Sequence, residues 1–543
     1  MADATTLAAV LLLPAAGAAL VPFVRAPALA RSLALAVMLA VLAFALQAFM
    51  GFDGVADTSG ANGANAANGA ARYALDVPWM PSLGVSLHFA VDGLNVYLLL
   101  LTALLFPAVL LCAWNTREGE SRLYLSLLLA LQAGLLGTFL SQNLLVLFVL
   151  WEAALVPMVL LILVFGGPER KRAAITFFLY TMAGSVLFLA AVIVLGMQGL
   201  QQTGNWTFDL ATLYRLNLGP RTQLFVFASI LLACFIKSPV FPFHSWLPLT
   251  YGQASPTGTA LLAGVMSKMG AFGLIKLAVP LCPDVAARAA PYIVLLAAAS
   301  IVYGAVLALR QTQYKQLVAY ASLSHMGYIV LGVFSLQATG LHGALFQILS
   351  HGLAVAALFL MLGLLDQRRG AADAPIEALA TRAPRFAVLM MLFILASLAL
   401  PLSSGFTAEF MVLLGAFTKG LAAWRANAGP GLLVGALMAA TGVVLGATYM
   451  LRFARVLMYG NASNASNASN TNKAAPLADL RGREALALLP LLALILWVGI
   501  WPAPLMSKVD AAVLKLAQPA ALVMPTAGAP AQAAVTAGVL HGR

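Results

Sequence analysis

The chain has 543 residues, of which 62% are hydrophobic and only 9% are charged. A soluble protein of this length needs far more charge on its surface, so the composition excludes a soluble globular protein and predicts an integral membrane protein. The formal net charge of +12 could suggest nucleic-acid binding, but the basic residues are distributed between apolar segments, where they indicate topology.

Segments of roughly twenty apolar residues predict transmembrane helices, and about fourteen of them follow one another along the chain. The first, near Leu7–Leu20, lacks a basic leader and a small-residue cleavage site, so we interpret it as a retained helix. The predicted spans cover residues 5–22, 29–50, 88–113, 123–140, 142–166, 175–197, 223–248, 258–280, 291–309, 316–334, 341–364, 389–416, 432–456 and 486–506.

Basic residues between the spans predict the orientation of the chain. The odd-numbered loops contain eighteen Lys and Arg residues, whereas the even-numbered loops contain six. Since basic loops stay on the cytoplasmic side, the odd-numbered loops are predicted to be cytoplasmic and both termini to lie outside. The pattern indicates a multi-pass protein of a bacterial cytoplasmic (inner) membrane.

Two loops, residues 53–76 and 461–472, are polar and of low complexity, which predicts solvated linkers. The second contains Asn-x-Ser triplets, but its predicted cytoplasmic position argues against glycosylation. The three cysteines have neither metal-binding nor disulfide spacing, so we interpret them as small apolar core residues: they are Cys112, Cys234 and Cys282.

Two predicted helices are interrupted near the middle of the membrane. Helix seven reads CFIKSPVFPFHSWLP and carries Lys237 before two prolines. Helix twelve reads SLALPLSSGFTAEF and carries Glu409 after Pro401 and Gly405. Matched interruptions in two halves are typical of inverted repeats with an ion site at the bilayer midplane. Since freed backbone carbonyl groups need water or polar partners, we expect both regions to line a hydrated interior.

Six ionisable side chains lie inside predicted spans and away from the span ends, where a charge costs on the order of 2.5–3.5 kcal/mol on insertion scales. In general, burial lowers the pKa of a lysine and raises that of a carboxyl group, so both can exchange protons near neutral pH. Histidine does so with its ordinary pKa. We therefore expect a proton relay made of Glu152, Lys237, Lys268, His325, His351 and Glu409.

The alternative for these six residues is a set of structural ion pairs and hydrogen-bonded histidines between helices. For His244 and Lys276, which lie near span ends, snorkelling or loop anchoring is a sufficient explanation. Metal ligation is disfavoured, because no two histidines share a helix at ligand spacing and no cysteine accompanies them. The sequence contains no Walker A loop, no GxGxxG motif and no cysteine cluster, so it predicts no cofactor in this chain.

Over roughly residues 88–456 the sequence resembles the antiporter-like subunits of respiratory complex I, the proton-translocating NADH:quinone oxidoreductase. The segments that carry the resemblance are FVLWEAALVPM, FFLYTMAGS, IKSPVFPFHSWLP, SPTGTALLAGVMSKMGAFGL, YKQLVAYASLSHMGYIVLG and ALFQILSHGLAVAALFLMLG. The resemblance implies an all-α integral membrane protein with about fourteen transmembrane helices, broken helices seven and twelve, and two inverted five-helix repeats. Its parts are helices one to three in 1–113, the first repeat in 123–280, the second repeat in 291–456, and a cytoplasmic linker, helix fourteen and tail in 457–543.

The same resemblance implies a role for each relay residue. Glu152 and Lys237 would form the charged pair of the first half, and Lys268 would be the central lysine. His325 and His351 would be the connecting histidines, and Glu409 would end the second half. Glutamate within GFTAEF is similar to the subunit M branch, whose mitochondrial counterpart is chain 4, since the other large subunits and the cation/proton antiporters usually have lysine there.

The resemblance also implies partners. The neighbours would be other antiporter-like membrane subunits of complex I and the lipid bilayer, with no nucleic acid. NADH, FMN, iron–sulfur clusters and quinone would belong to partner subunits. Leu249, where the family usually has Asp, and Thr176, where it usually has Lys, depart from the family pattern. Three alternatives stay open: a cation/proton antiporter subunit, a subunit of a membrane-bound hydrogenase or formate-oxidising complex, and an inert scaffold.

Overall fold

The computed structural model describes residues 2–54, 73–369, 378–460 and 477–522. The loop 461–472 and most of the loop 53–76, which the sequence analysis interprets as solvated linkers, lie outside these ranges. Within them, fourteen helices are long and apolar enough to cross a membrane. This confirms the predicted number of transmembrane helices.

We number the transmembrane helices α1 to α14 in chain order and divide the two interrupted ones into a first and a second part. A final helix, α15, follows them. Their bounds are α1 Ala2–Leu20, α2 Pro27–Gly51, α3 Val96–Ala113, α4 Arg122–Leu140, α5 Leu144–Phe165, α6 Arg170–Thr203, α7a Pro220–Lys237, α7b Trp246–Gln253, α8 Pro256–Leu281, α9 Pro283–Arg310, α10 Tyr314–Phe334, α11 Ala338–Arg369, α12a Pro384–Ser397, α12b Ser404–Arg425, α13 Gly431–Tyr459, α14 Gly482–Ile500 and α15 Ala503–Leu522.

The helices differ in how much of their surface is covered by the rest of the chain. The most apolar windows of α8 and α11 are 100% buried, whereas that of α13 is 28% buried and carries large exposed apolar side chains. Lipid solvates such side chains without cost, so the outer helices face the bilayer while α3, α8, α10 and α11 form the interior. Four of the six predicted relay residues lie on these interior helices or on α7a, which packs against α8.

Helices α8 and α11 cross in direct contact because small residues meet at the crossing. A Cβ atom added to Gly352 would lie 2.8 Å from the carbonyl oxygen of Gly264 and 2.6 Å from Leu101. Any side chain at position 352 would therefore push the two helices apart, next to His351. Such small residues are what allows membrane helices to approach closely.

Helices seven and twelve are interrupted as their sequences predict. Helix α7a ends at Lys237, and α7b begins at Trp246. Helix α12a ends at Ser397, and α12b begins at Ser404. Proline lacks the backbone N–H group that would continue a helix, which accounts for both interruptions. The relation of the two halves as inverted repeats stays a prediction.

Helix α8 contains two π-helical segments. The first spans Leu262–Met266 and directly precedes Ser267 and Lys268, while the second spans Leu274–Ala278 and contains Lys276. A π segment widens the helix by one residue and re-aims its side chains, and such segments are frequent at functional sites. Both lysines of α8 therefore lie at positions where the helix departs from regular geometry.

Two regions differ from the sequence predictions. The predicted span 88–113 begins as a helix only at Val96, because Val85–Ala90 pairs with Ala74–Met80 as the antiparallel strands β2 and β1. Gly84, at φ +61, closes the turn between them. Over the described residues, the fold is thus α-helical with one added hairpin.

The second difference is α15, which the sequence analysis assigned to the last span and the tail. It is amphipathic, with Leu505, Val509 and Val513 buried at helical spacing. The Tyr97 hydroxyl donates to the Leu505 carbonyl oxygen over 2.6 Å. Charged side chains on its other positions kept its hydropathy below the level that predicts a span.

Candidate functional site

The two ionisable residues of the first half are held by different neighbours. Ser185 on α6 donates a short hydrogen bond to the carboxylate of Glu152, which is half-buried on α5. Lys237 is 3% exposed, and its ammonium lies 5.4 Å from the centre of the Trp151 ring. Nζ of Lys237 has no hydrogen-bond partner among the described protein atoms.

Glu152 and Lys237 form no direct ion pair within the described residues, so their role as the charged pair of the first half stays a prediction. The negative charge of Glu152 still acts on Lys237 across the gap between α5 and α7a. Lys237 is the last residue of α7a, and the free carbonyl groups at a helix C-terminus favour a cation. A contact between the two groups through water stays a prediction.

Lys268 is completely buried in the middle of α8. Its ammonium donates a short hydrogen bond to the carbonyl oxygen of Ala263, in the first π segment, and lies 3.4 Å from the Ser267 hydroxyl. No carboxylate forms an ion pair with it within the part of the chain that the structure describes. Its surroundings are polar and neutral, which suits a group that gains and loses a proton.

A chain of polar groups leads from Lys268 to the first histidine. The buried hydroxyl of Tyr251 on α7b lies near Ser267 on α8 and Ser322 on α10, without a hydrogen bond to either. Ser322 Oγ lies 3.0 Å from Nε2 of His351. The central lysine and this histidine thus lie on either side of a group of hydroxyls.

The second half ends in a compact cluster around Glu409. The rings of His325 and His351 are 4.8 Å apart, and Nδ1 of His325 lies 2.9 Å from Oε1 of Glu409. The Gln347 amide donates to the same carboxylate oxygen over 3.2 Å. Glu409 lies in the second turn of α12b, so the carboxylate is near the positive end of a half-helix.

A cavity of about 10 Å³ adjoins this cluster, next to the interruption of α12. His325, His351 and Glu409 line it together with Gly405 and Ser397. That volume holds roughly one water molecule, given polar partners. Nε2 of His325 lacks a partner among the described protein atoms. A proton could therefore pass between the two rings and the carboxylate over short distances.

Lys276 does not snorkel, which is a correction to the sequence analysis. It is 5% exposed and forms a buried ion pair with Asp92, the residue that begins the turn before α3. The Lys276 ammonium donates to the side-chain oxygen of Gln142 over 3.0 Å. The side-chain nitrogen of Gln142 donates to the Asp92 carboxylate, also over 3.0 Å. Two costly charges thus cancel in one closed cluster.

Burial alone would raise the pKa of Asp92. The charge of Lys276 and hydrogen bonds from Lys276, Gln142 and the Leu94 amide outweigh that effect and leave the pKa below its ordinary value. Asp92 therefore contributes stability at pH values above its unfolded-state pKa, and this contribution is lost as the pH falls through the lower folded-state pKa. At neutral pH the cluster is a fixed structural clamp.

His244 lies in the interruption between α7a and α7b, against the rings of Phe241 and Tyr303. Its backbone carbonyl accepts from the Leu247 amide, so it anchors the loop. Among the described residues no group of three or more His, Cys, Asp or Glu side chains could hold a metal ion. Four neutral residues beside the relay could not be predicted from the sequence, because they have no distinctive spacing: Ser185, Tyr251, Ser322 and Gln347.

This chain is similar to one transmembrane protein family and to several of its members. The family model described as NADH:quinone oxidoreductase/Mrp antiporter, TM matches residues 141–424, which contain all six predicted relay residues. NAD(P)H-quinone oxidoreductase chain 4 1 of Nostoc sp. is 35% identical over 448 residues, covering 82% of this chain and 80% of the relative. NADH-quinone oxidoreductase subunit M of Rickettsia prowazekii is 35% identical over 427 residues, covering 78% of this chain and 82% of the relative.

Solved structures give the same result. A chain of respiratory complex I from Thermus thermophilus with bound NADH matches with a TM-score of 0.81 at 31% identity, covering 95% of this chain and 99% of that one. A chain of the Mrp complex from Dietzia sp. matches with a TM-score of 0.79 at 21% identity, covering 96% and 98%. At that identity, the similarity to the Mrp chain shows a shared fold and nothing about function.

Proposed function

Since the chain belongs to the NADH:quinone oxidoreductase/Mrp antiporter transmembrane family, we propose that it is the subunit M-type, proton-translocating membrane subunit of an NADH:quinone oxidoreductase. Its relatives named subunit M or chain 4 cover most of its length. NADH oxidation and quinone reduction would take place in partner subunits, which would hold FMN, the iron–sulfur clusters and quinone. This chain would supply proton transfer and no redox chemistry.

The observation that carries the proposal is the succession of polar side chains from Lys268 to Glu409, which lie on α8, α10, α11 and α12b. A protonated Lys268 would release its proton towards the Ser267 and Tyr251 hydroxyls, and His351 would receive it at Nε2. The proton would then pass to His325 and, at Nδ1, to the carboxylate of Glu409. His325 contacts Glu409 directly, whereas the steps through Tyr251 and between the two histidine rings would need a small side-chain movement or a bridging water molecule.

Glu152 and Lys237 would control the entry of the proton. A carboxylate close to Lys237 stabilises the ammonium, and moving the carboxylate away favours its release. The Glu152 side chain is half-buried, and its carboxylate accepts a hydrogen bond from Ser185. A conformational or electrostatic signal from a neighbouring subunit could therefore reach Lys237 through Glu152. The basic loops would face the cytoplasm, and both termini would face outward.

A cation/proton antiporter subunit is the second candidate. The family model includes both classes, and the Mrp chain shares the fold. The residue at position 409 separates them, because the resemblance links lysine there to antiporters and glutamate to subunit M. A hydrogenase or formate-oxidising complex would use the same fold, and the genes beside this one would distinguish the three.

The experiment is NADH-driven proton uptake in inside-out vesicles, normalised to the amount of assembled complex. Lys268→Ala and Glu409→Ala should abolish proton uptake by this subunit and slow the coupled oxidation of NADH. The matched control is Lys515→Ala, which removes an exposed lysine of α15 and should change neither rate. Unchanged uptake per NADH in both relay variants would leave the structural ion-pair interpretation standing.

A further inference from the structure

A cavity of about 180 Å³ lies between the ends of four helices, away from the relay. The beginning of α9, the end of α10, the end of α12b and the beginning of α13 surround it. Its walls are largely apolar, with Pro291, Phe334 and Leu432 among them. Two cationic side chains, Arg288 and Lys419, complete the lining, and no acidic residue contributes to it.

The two cations have no acidic partner. Arg288 is exposed, and its Nε donates only to the backbone carbonyl of Asp284, over 3.3 Å. Lys419 is half-buried beside the apolar wall. Neither takes part in an ion pair within the described parts of the chain. Two unpaired cations at one cavity attract a phosphate, which guanidinium and ammonium groups both bind.

Exposed aromatic residues place this cavity at the membrane–water interface. Tyr292, one turn beyond Arg288, is 76% exposed, and Trp424, one turn beyond Lys419, is 56% exposed. Tyrosine and tryptophan concentrate at the level of lipid headgroups. Exposed apolar side chains such as Phe417 and Val434 continue from there into the bilayer region. A ligand at this position must therefore be anionic at one end and apolar at the other.

We propose that this cavity binds an anionic phospholipid of the adjoining leaflet. Its phosphate would lie between Arg288 and Lys419, and part of an acyl chain would pack against Pro291, Phe334 and Leu432. The cavity is smaller than the roughly 300–1,000 Å³ of sites that enclose a whole ligand. The remaining lipid would therefore extend along the exposed surface of α12b and α13. The site is independent of the relay and of the function proposed above.

Photolabelling of the purified, assembled complex tests this site. The complex is reconstituted in phosphatidylcholine vesicles containing a trace of photoactivatable phosphatidylglycerol, and the labelled peptides are identified by mass spectrometry. We expect label on peptides of α9, α12b and α13. Unlabelled phosphatidylglycerol should compete, whereas inorganic phosphate should not, which separates a lipid headgroup from free phosphate.

Charge-neutral variants sharpen the test. Arg288→Gln and Lys419→Gln should each lower labelling about fivefold, and the double variant about thirtyfold, since one basic residue near a membrane contributes on the order of 1 kcal/mol to anionic lipid binding. Arg425→Gln, on the same helix as Lys419 but outside the cavity lining, is the control and should label normally. Both substituted side chains reach the surface, so folding is retained.

Three results would overturn the site. Equal labelling by photoactivatable phosphatidylcholine would show that the cations play no part. Unchanged labelling of the double variant would place the lipid elsewhere. Crosslinks from these helices to another subunit, without lipid label, would identify the cavity as a protein–protein contact in the assembled complex.

Discussion

Helix α8 carries two buried lysines eight residues apart, about 12 Å along a helix, and their surroundings are opposite. Lys276 is locked by Asp92 and Gln142, with every charge compensated. Lys268 has only a backbone carbonyl and a hydroxyl as partners among the described residues, and no carboxylate pairs with it there. Burial alone therefore does not distinguish a structural lysine from a functional one; the identity of the partner does.

The difference has a clear physical basis. A lysine beside a carboxylate stays charged, because releasing its proton would leave an uncompensated buried anion. A lysine among neutral dipoles can exist in either protonation state at a smaller difference in free energy. The second π segment points Lys276 towards α3, whereas the first segment supplies the carbonyl group that Lys268 uses. The comparison predicts distinct phenotypes for substitutions on this one helix.

The largest effect is expected for Lys276→Met. It leaves Asp92 charged, buried and unpaired, which costs on the order of 3–5 kcal/mol. The complex should assemble poorly, measured as the fraction of this subunit that migrates with the complex on native gels. The double variant Asp92→Asn with Lys276→Met removes both charges and should recover assembly and proton uptake. If the double variant assembled but did not pump, Lys276 would belong to the relay after all.

Lys268→Met should give the reverse phenotype. No carboxylate loses its partner, so assembly should remain near wild type, while NADH-driven proton uptake through this subunit is lost. Lys268→Arg should fail in the same assay, because arginine does not release its proton at accessible pH. Poor assembly of Lys268→Met, comparable with that of Lys276→Met, would contradict the distinction between the two lysines.

Gln347→Leu should have an intermediate effect. The Gln347 amide donates to Glu409 and lies 3.3 Å from Nδ1 of His325. A hydrogen bond to a charged group contributes about 1.5–3 kcal/mol, so we expect proton uptake to fall by roughly tenfold or more, with assembly intact. Gln347→Glu would add a second carboxylate and should impair uptake further. Normal uptake in Gln347→Leu would show that His325 alone positions the carboxylate.

Ser185→Ala should have the smallest effect. It removes the hydroxyl that holds the Glu152 carboxylate, but the half-buried side chain keeps an exposed face through which it can contact a neighbouring subunit. We expect a reduction of about two- to threefold in proton uptake, equivalent to about 0.5 kcal/mol. Ser229→Ala, which removes a buried hydroxyl elsewhere on α7a, is the control. A complete loss of uptake would assign Ser185 a place in the proton path itself.

Local patterns were enough to predict the helices and the charged members of the site. Long apolar runs gave the fourteen spans, and the prolines in helices seven and twelve gave the two interruptions. Lys268, His325, His351 and Glu409 stood out because charge or imidazole is rare inside a span. These signals depend on single segments, so the sequence carries them without any knowledge of packing.

The partners could not be predicted in the same way, because each lies on a distant segment. Asp92 is 184 residues from Lys276 in the sequence, and Gln347 is 62 residues from Glu409. Because Lys276 lies near the end of a predicted span, snorkelling was the simpler explanation for it. Only the tertiary contact with Asp92 shows that the lysine is held inside the protein. Ser185 and Tyr251 are neutral and common in membrane helices, so their composition gives no functional signal.

Helix α15 has a consequence for how the protein is made. The Tyr97 contact with Leu505 joins residues 408 positions apart, and Lys508 reaches the Phe52 carbonyl oxygen across 456 positions. Asp510, on the same helix, binds His342 at the start of α11, the helix that carries Gln347 and His351. These contacts form only after the ribosome has synthesised the chain as far as Asp510. Membrane insertion of α3 and α11 therefore precedes their final positioning, and α15 fixes the N-terminal end of the helix on which the histidine cluster depends.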